Sequence, residues 1–231
     1  MVQTQPVAVL FDFDGTLVDT EPYWTRGRVE MLSDMGVAYS MEQSATLRGL
    51  SRDDSQAAII QHLIGQGIDI ADIDDDALYD SLIGHIVDQI ERLGAPWRAG
   101  VPALLDDLEA KGVPCAIVSA SPPAVINAGL KSLRPGVISV VVSGDEVARG
   151  KPDPEGYLLA ATRLGVNPEA CVVIEDSAAG AESGRAAGAV VIAVPDYYEL
   201  ADAPGQVVLP TLEGVGVAQL RQLFKEARRG E

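Results

Sequence analysis

The chain has 231 residues, 47% of them hydrophobic, enough for one substantial core or a core with a smaller insertion. Its 17 lysines and arginines against 34 aspartates and glutamates give a formal net charge of −17, which repels a nucleic-acid backbone or an anionic membrane surface. Met1 to Pro6 lack a basic stretch followed by an apolar run, and no apolar run reaches the roughly 18 residues of a membrane span, so a cytoplasmic protein is expected, with no nucleic-acid and no membrane partner.

Val7 to Phe11 is a short apolar run that reads as a buried strand. From Glu21 to about Leu93 the pattern turns helical, with no convincing strand. Helices are expected over Pro22 to Met35, Met41 to Arg48, Ser51 to Gln66 and Asp74 to Arg92, separated by Gly36, Gly49 and Gly67. Asp72, Asp74, Asp75 and Asp76 suit the positive end of the fourth helix dipole, a solvated helix start rather than a metal site.

Helices and strands then alternate: a helix over Val101 to Lys111, a strand over Pro114 to Val118, a helix over Pro123 to Leu133 and a strand over Ile138 to Val142. A helix over Pro154 to Leu164, a strand over Cys171 to Ile174, a helix over Ala178 to Ala187 and a strand over Val190 to Val194 continue the rhythm. A short strand, Gln206 to Leu209, and an amphipathic helix, Val215 to Arg228, end it. Continuous apolar strands alternating with helices predict an α/β fold, a doubly wound parallel sheet covered on both faces. Residues 1–20 and 94–231 form the core in this reading, and residues 21–93 a helical domain inserted after the first strand. Cys115 and Cys171 are expected as buried free thiols on strands flanking the first one, too far apart for a disulfide, and His62 and His85 lie far from them.

The strongest local feature is Asp12-Phe13-Asp14-Gly15-Thr16-Leu17, directly after the first strand. In an open parallel sheet, ligands bind outside the carboxyl ends of the strands, which is where this carboxylate pair falls. Gly15 permits a sharp turn there. Other strands lead into reactive residue types: Ser119, Lys151 ahead of a helix, and Glu175 with Asp176. A phosphoryl group held among such carboxylates needs a cation, and Mg²⁺ suits hard oxygen ligands and phosphate. Lys151 would add a point charge and Ser119 a hydroxyl donor where charge develops.

These four motifs, in this order, resemble the haloacid dehalogenase superfamily of aspartate-nucleophile phosphotransferases: Asp12-Phe13-Asp14-Gly15-Thr16, Ser119, Lys151-Pro152, and Glu175-Asp176-Ser177 followed by Gly180. The resemblance implies a Rossmann-like core with a helical cap domain at residues 21–93 and a two-step reaction through an aspartyl phosphate. Asp12 would be the nucleophile and Asp14 the general acid and base. The metal would be held by Asp12, the Asp14 carbonyl and Asp176, with Glu175 assisting; Ser119 and Lys151 would hold the phosphoryl group. Asp14 argues against carbon–halogen hydrolysis, because an alkoxide needs a proton donor and a halide does not.

Within the superfamily the chain is similar to the branch of β-phosphoglucomutase and sugar-phosphate phosphatases. Leu47 to Ser55 resembles the loop that such caps lower onto substrate, which makes Arg52 and Arg48 candidate substrate contacts. Trp24 stands where the mutase carries a histidine, and Pro122-Pro123 where it carries polar or basic residues. A phosphatase acting on a small phosphorylated metabolite is therefore expected, as a monomer, ahead of a sugar phosphomutase and of a non-catalytic binding module.

Overall fold

The computed structural model describes residues 6–71, 73–131, 136–197, 199–201 and 203–229. Met1 to Gln5, Asp72 of the acidic run, and Ser132 and Leu133 of the helix expected over Pro123 to Leu133 lie outside them. Six strands, β1 (Ala8–Phe11), β2 (Cys115–Val118), β3 (Ile138–Val142), β4 (Cys171–Glu175), β5 (Val190–Ala193) and β6 (Gln206–Val208), form one sheet in the order β3-β2-β1-β4-β5-β6. Every neighbouring pair is parallel. The four inner strands are buried at every position, as their unbroken apolar runs require of a sheet covered on both faces.

Between β1 and β2 lie α1 (Glu21–Asp34), α2 (Met41–Ala45), α3 (Arg52–Gly65), α4 (Asp75–Leu93) and α5 (Val101–Ala110). Later connections carry α6 (Pro123–Leu130), α7 (Glu155–Leu164) and α8 (Ala178–Ala186), and α9 (Val217–Arg229) follows β6. No helix among the described residues is long and apolar enough to cross a membrane. The chain divides into two compact units, Met1–Asp19 with Pro96–Glu231, and Thr20–Ala95.

In the sheet unit, β2 lies on one side of β1 and β4 on the other. The order therefore reverses between β1 and β4, and that reversal opens a crevice at the carboxyl ends of the two strands. Cys115 pairs with Val9 and Cys171 with Ala8 across opposite sides of β1, and both thiols are free and buried. Burial pushes each thiol up to about 12, so neither is a ready thiolate.

In the helical unit, Gly27 on α1 lets α4 approach: a Cβ there would lie 3.1 Å from Ile86 and 3.2 Å from Leu82. The Ser44 hydroxyl donates to the Thr25 carbonyl at 2.8 Å, tying α2 to α1. The helix expected over Met41 to Arg48 stops at Ala45. The Thr46 hydroxyl donates back to the Gln43 carbonyl at 2.7 Å, and Gly49 adopts φ +70° before Ser51 caps α3.

Candidate active site

The Asp12 N–H donates to the Ile174 carbonyl at 3.0 Å, carrying the β1–β4 ladder one step past β1 and holding Asp12 at the crevice. Phe13 is fully buried, and it meets Gly129 of α6 so closely that a Cβ there would lie 2.5 Å from the ring. Gly15 has φ +82°, and a Cβ on it would lie 2.3 Å from Asp176 Oδ2, so conformation and space both require glycine. Thr16 Oγ1 donates to Asp176 Oδ1 at 3.3 Å, linking the loop after β1 to the end of β4.

Asp14 accepts from two hydroxyls beyond β2 at the same oxygen, Ser119 at 3.1 Å and Ser121 at 2.7 Å. Ser119 is placed by its N–H, which donates to the Val142 carbonyl at 3.0 Å. Lys151 reaches across the strand ends: its Nζ donates to Asp12 Oδ1 and Glu175 Oε1, both at 2.6 Å, and to the Val118 carbonyl at 3.0 Å.

Glu175 is fully buried. Its Oε1 also accepts from the Tyr157 hydroxyl at 3.0 Å. Its Oε2 accepts from the Asp176 N–H at 3.0 Å, the Ser177 N–H at 3.1 Å and the Ser177 hydroxyl at 3.0 Å. Ser177 also caps α8, accepting from the Gly180 N–H at 3.0 Å. A Cβ on Gly180 would fall 1.6 Å from Glu175 Oε1, so the first turn of α8 is the floor under that carboxylate.

Three carboxylates, Asp12, Glu175 and Asp176, offer oxygens that all lie within 4.8 Å of one another. Burial pushes the Asp12 carboxyl up to about 7 against the pull of Lys151, with Glu175 and Asp14 adding to the rise. Burial, then Asp12 and Glu175, push Asp176 up to about 9. Burial pulls Lys151 down, but Asp12 and Glu175 outweigh it and hold the ammonium well above its ordinary range. Burial, with Glu175, raises the Tyr157 phenol well above its own, so it stays a neutral donor. One ammonium among these acids leaves an excess of negative charge once they ionise, and the donors are hard oxygens. The cluster thus fits a small divalent cation such as Mg²⁺. Glu175 spends both oxygens on protein donors, which makes Asp12 and Asp176 the better-placed ligands.

Asp12, Asp14, Ser119, Lys151, Glu175 and Asp176 are thus joined at one edge of the sheet. Arg52, Arg48 and Trp24 belong to the Thr20–Ala95 unit. There Arg52 lies 2.6 Å from Asp76 and stacks 4.0 Å over the Tyr79 ring, and Arg48 lies 3.9 Å from Glu21. Arg28 sits 5.8 Å over the Trp24 ring. His62 meets the Ala38 carbonyl at 3.0 Å and His85 lies 3.1 Å from Asp34, both outside the acidic cluster.

Sequence reasoning missed Ser121 and Tyr157. The alternation Ser119-Ala120-Ser121 carried a signal, a second hydroxyl two residues after the first and three beyond the end of β2. Tyr157 carried none, since an aromatic on the buried stripe of α7 reads as core.

Residues 7–188 match the family described as haloacid dehalogenase-like hydrolase. Hexitol phosphatase A of Escherichia coli (strain K12) is 38% identical over 185 residues, covering 80% of this chain and 81% of its own. Protein CbbY of Rhodobacter capsulatus is 33% identical over 201 residues, covering 84% of this chain and 88% of its own. The crystal structure of CbbY from Rhodobacter sphaeroides in complex with phosphate superposes with a TM-score of 0.81 at 26% identity, covering 94% of this chain and 99% of that one.

Proposed function

Since the chain belongs to the haloacid dehalogenase-like hydrolase family, we propose that it is a Mg²⁺-dependent phosphatase of small, sugar-like phosphomonoesters, working as a cytoplasmic monomer. The observation that carries this reading is the ring at the β1–β4 crevice: Lys151 bridges Asp12 and Glu175 while Ser119 and Ser121 hold Asp14 beside them. The relative named as a hexitol phosphatase supports the substrate class.

A carboxylate oxygen of Asp12 forms a bond to phosphorus as the bond to the ester oxygen breaks, and Asp14 gives its proton to the departing alkoxide. Water then attacks the aspartyl phosphate and yields a proton to Asp14, the bond from Asp12 to phosphorus breaks, and inorganic phosphate leaves. Asp12, Asp176 and the Asp14 carbonyl would hold the Mg²⁺, with Glu175 supporting the set; when bound it offsets the negative charge of the cluster and orients the phosphoryl group. Lys151 and Ser119 bind the phosphoryl oxygens, the first by charge and the second by hydrogen bonding. Glu175, anchored by Tyr157 and the start of α8, positions Lys151. In the helical domain Arg52, Arg48 and Trp24 select the substrate.

The test is release of phosphate from an aryl phosphate and from a panel of sugar phosphates, with Mg²⁺ and with EDTA. Metal-dependent release by the wild type, abolished in a folded Asp12→Asn variant, is the expected result. Activity that survives Asp12→Asn would overturn the nucleophile assignment, and interconversion of glucose phosphates faster than phosphate release would replace the phosphatase by a mutase.

A further inference from the structure

A serine just ahead of a helix ordinarily caps it. Ser121 stands just ahead of α6, yet Pro122 is the cap residue and no side chain caps that helix. The Ser121 hydroxyl instead donates to Asp14 Oδ2 at 2.7 Å, a shorter contact than the 3.1 Å from Ser119 to the same oxygen.

Ser121 is 5% exposed, and its surroundings hold it. Its N–H donates to Ser119 Oγ at 3.0 Å, and its carbonyl accepts from the Gly144 N–H at 3.4 Å. Gly144 comes so near that a Cβ on it would lie 2.4 Å from the Ala120 carbonyl oxygen. On the other side follow Pro122 and Pro123, whose rings fix their own dihedrals and restrict the residue before them. The proline pair thus helps keep the Ser121 hydroxyl on one line.

Proton counting separates the two serines. A hydroxyl has one proton to donate and two lone pairs to accept with. Ser119 Oγ accepts from the Ser121 N–H, and its one proton goes to Asp14 Oδ2. The proposed reaction asks that same proton to bind a phosphoryl oxygen, and it cannot serve both. Substrate therefore takes Ser119 off Asp14 just before Asp14 must protonate the leaving oxygen. The Ser121 hydroxyl has no such second duty. Two donors also fill both lone pairs of Oδ2, so the proton that Asp14 transfers is carried on Oδ1.

We propose that Ser121 is the positioning residue of the general acid: it keeps Asp14 by Oδ2 after Ser119 has passed to the phosphoryl group, and so presents Oδ1 to the ester oxygen. The inference rests on the reading of Asp14 as acid and base. The proton moves from Asp14 Oδ1 to the ester oxygen as the bond from that oxygen to phosphorus breaks, and Ser121 exchanges none.

The experiment uses the full chain with saturating Mg²⁺, the variants Ser121→Ala and Asp14→Asn, the double variant, and phosphate esters running from aryl esters of good leaving groups to a sugar phosphate. The readout is how steeply kcat falls as the leaving group worsens, a ratio within each preparation that does not change with the fraction of folded enzyme. Ser121→Ala should lose about tenfold or more in kcat on the sugar phosphate, as for one hydrogen bond to a charged group, and little on the best aryl ester. KM and inhibition by inorganic phosphate should stay as in the wild type, because Ser119 and Lys151 still hold the phosphoryl group. In the Asp14→Asn background Ser121→Ala should steepen nothing further, since both act at one proton transfer. An equal fall on every ester marks a merely structural serine, a raised KM at unchanged steepness marks a substrate contact, and unchanged kinetics mark no role; each overturns the proposal. Further steepening in the double variant overturns it as well. If Asp14→Asn itself slows every ester alike, or the wild type releases no phosphate from any of them, the acid and base reading fails first and this inference falls with it. A selective loss in Asp14→Asn beside an unselective one in Ser121→Ala defeats this inference alone.

Discussion

Replacing Tyr157 by phenylalanine removes one oxygen from a residue with no solvent exposure, and that oxygen is a donor to Glu175 Oε1 at 3.0 Å. The Glu175 oxygen is left short of one donor, so the variant should lose about 1 to 3 kcal/mol of unfolding free energy in urea. Because Lys151 still bridges Asp12 and Glu175, aryl phosphate turnover should fall by less than about tenfold, as for a group that acts through its neighbours. An unchanged urea midpoint would mean that Glu175 does not depend on the phenol. Asp14→Asn tests the proposed acid differently. It should slow sugar phosphates far more than an aryl phosphate, because a good leaving group departs without proton donation; equal losses would remove Asp14 from that role. Residues of this kind differ in how they reach the reader of a sequence. Asp12 and Asp14 are polar immediately after an apolar run, where a strand has no structural use for them. Tyr157 lies on a helix stripe, where burial is the ordinary fate of an aromatic, and only its partner sets it apart.

At the scale of an element, the start of α8 is held to the end of β4 by the Glu175 carboxylate. Glu175 takes the N–H groups of Asp176 and Ser177 and the Ser177 hydroxyl at one oxygen, and the helix passes over it at Gly180. Gly180→Ala would bring a methyl group to 1.6 Å from Glu175 Oε1. The tip of a flexible side chain gives way cheaply, but this one is buried and held from both sides, so moving it breaks the contacts to Lys151 and Tyr157 as well. The substitution should therefore lower stability by about 3 kcal/mol or more and lower turnover with it; loss of stability alone, at full turnover, would separate α8 from the chemistry. The inner strands were legible because a fully buried parallel strand is an unbroken apolar run, and β5 (Val190–Ala193), buried throughout, falls within the run from Val190 to Val194. Helix ends were less so. Leu47 and Leu50 continue the apolar spacing past Ala45, but a hydroxyl contact from Thr46 and a left-handed Gly49 end α2 by local geometry that periodicity does not report.

Across the whole molecule, the carboxylates at the crevice make stability depend on pH and on metal together. In the metal-free protein Asp12 keeps its proton up to about 7 and Asp176 up to about 9, while an unfolded aspartate releases its own near about 3.9. Between those values the native state binds more protons than the unfolded state, so the unfolding free energy falls as pH rises. The contribution is complete below about 4 and is lost as pH climbs through about 7 and then about 9. Asp107, held low by Lys111 and the Val217 N–H, and Glu146, held low by Arg163 and the Ser143 N–H, act in the opposite sense, but only below the ordinary carboxylate range. A divalent cation competes with the crevice protons for the same oxygens and binds only the folded chain. Thermal unfolding from pH 5 to 9 in EDTA should therefore show a midpoint that drops with pH, and saturating Mg²⁺ should restore it by an increment that grows with pH. Asp176→Asn should shrink that increment and flatten the metal-free decline, since it removes a negative charge that both the proton and the metal answer to. A Mg²⁺ increment that is the same at pH 5 as at pH 8, or that survives intact in Asp176→Asn, would place the metal elsewhere and break the link between charge at the crevice and the proposed reaction.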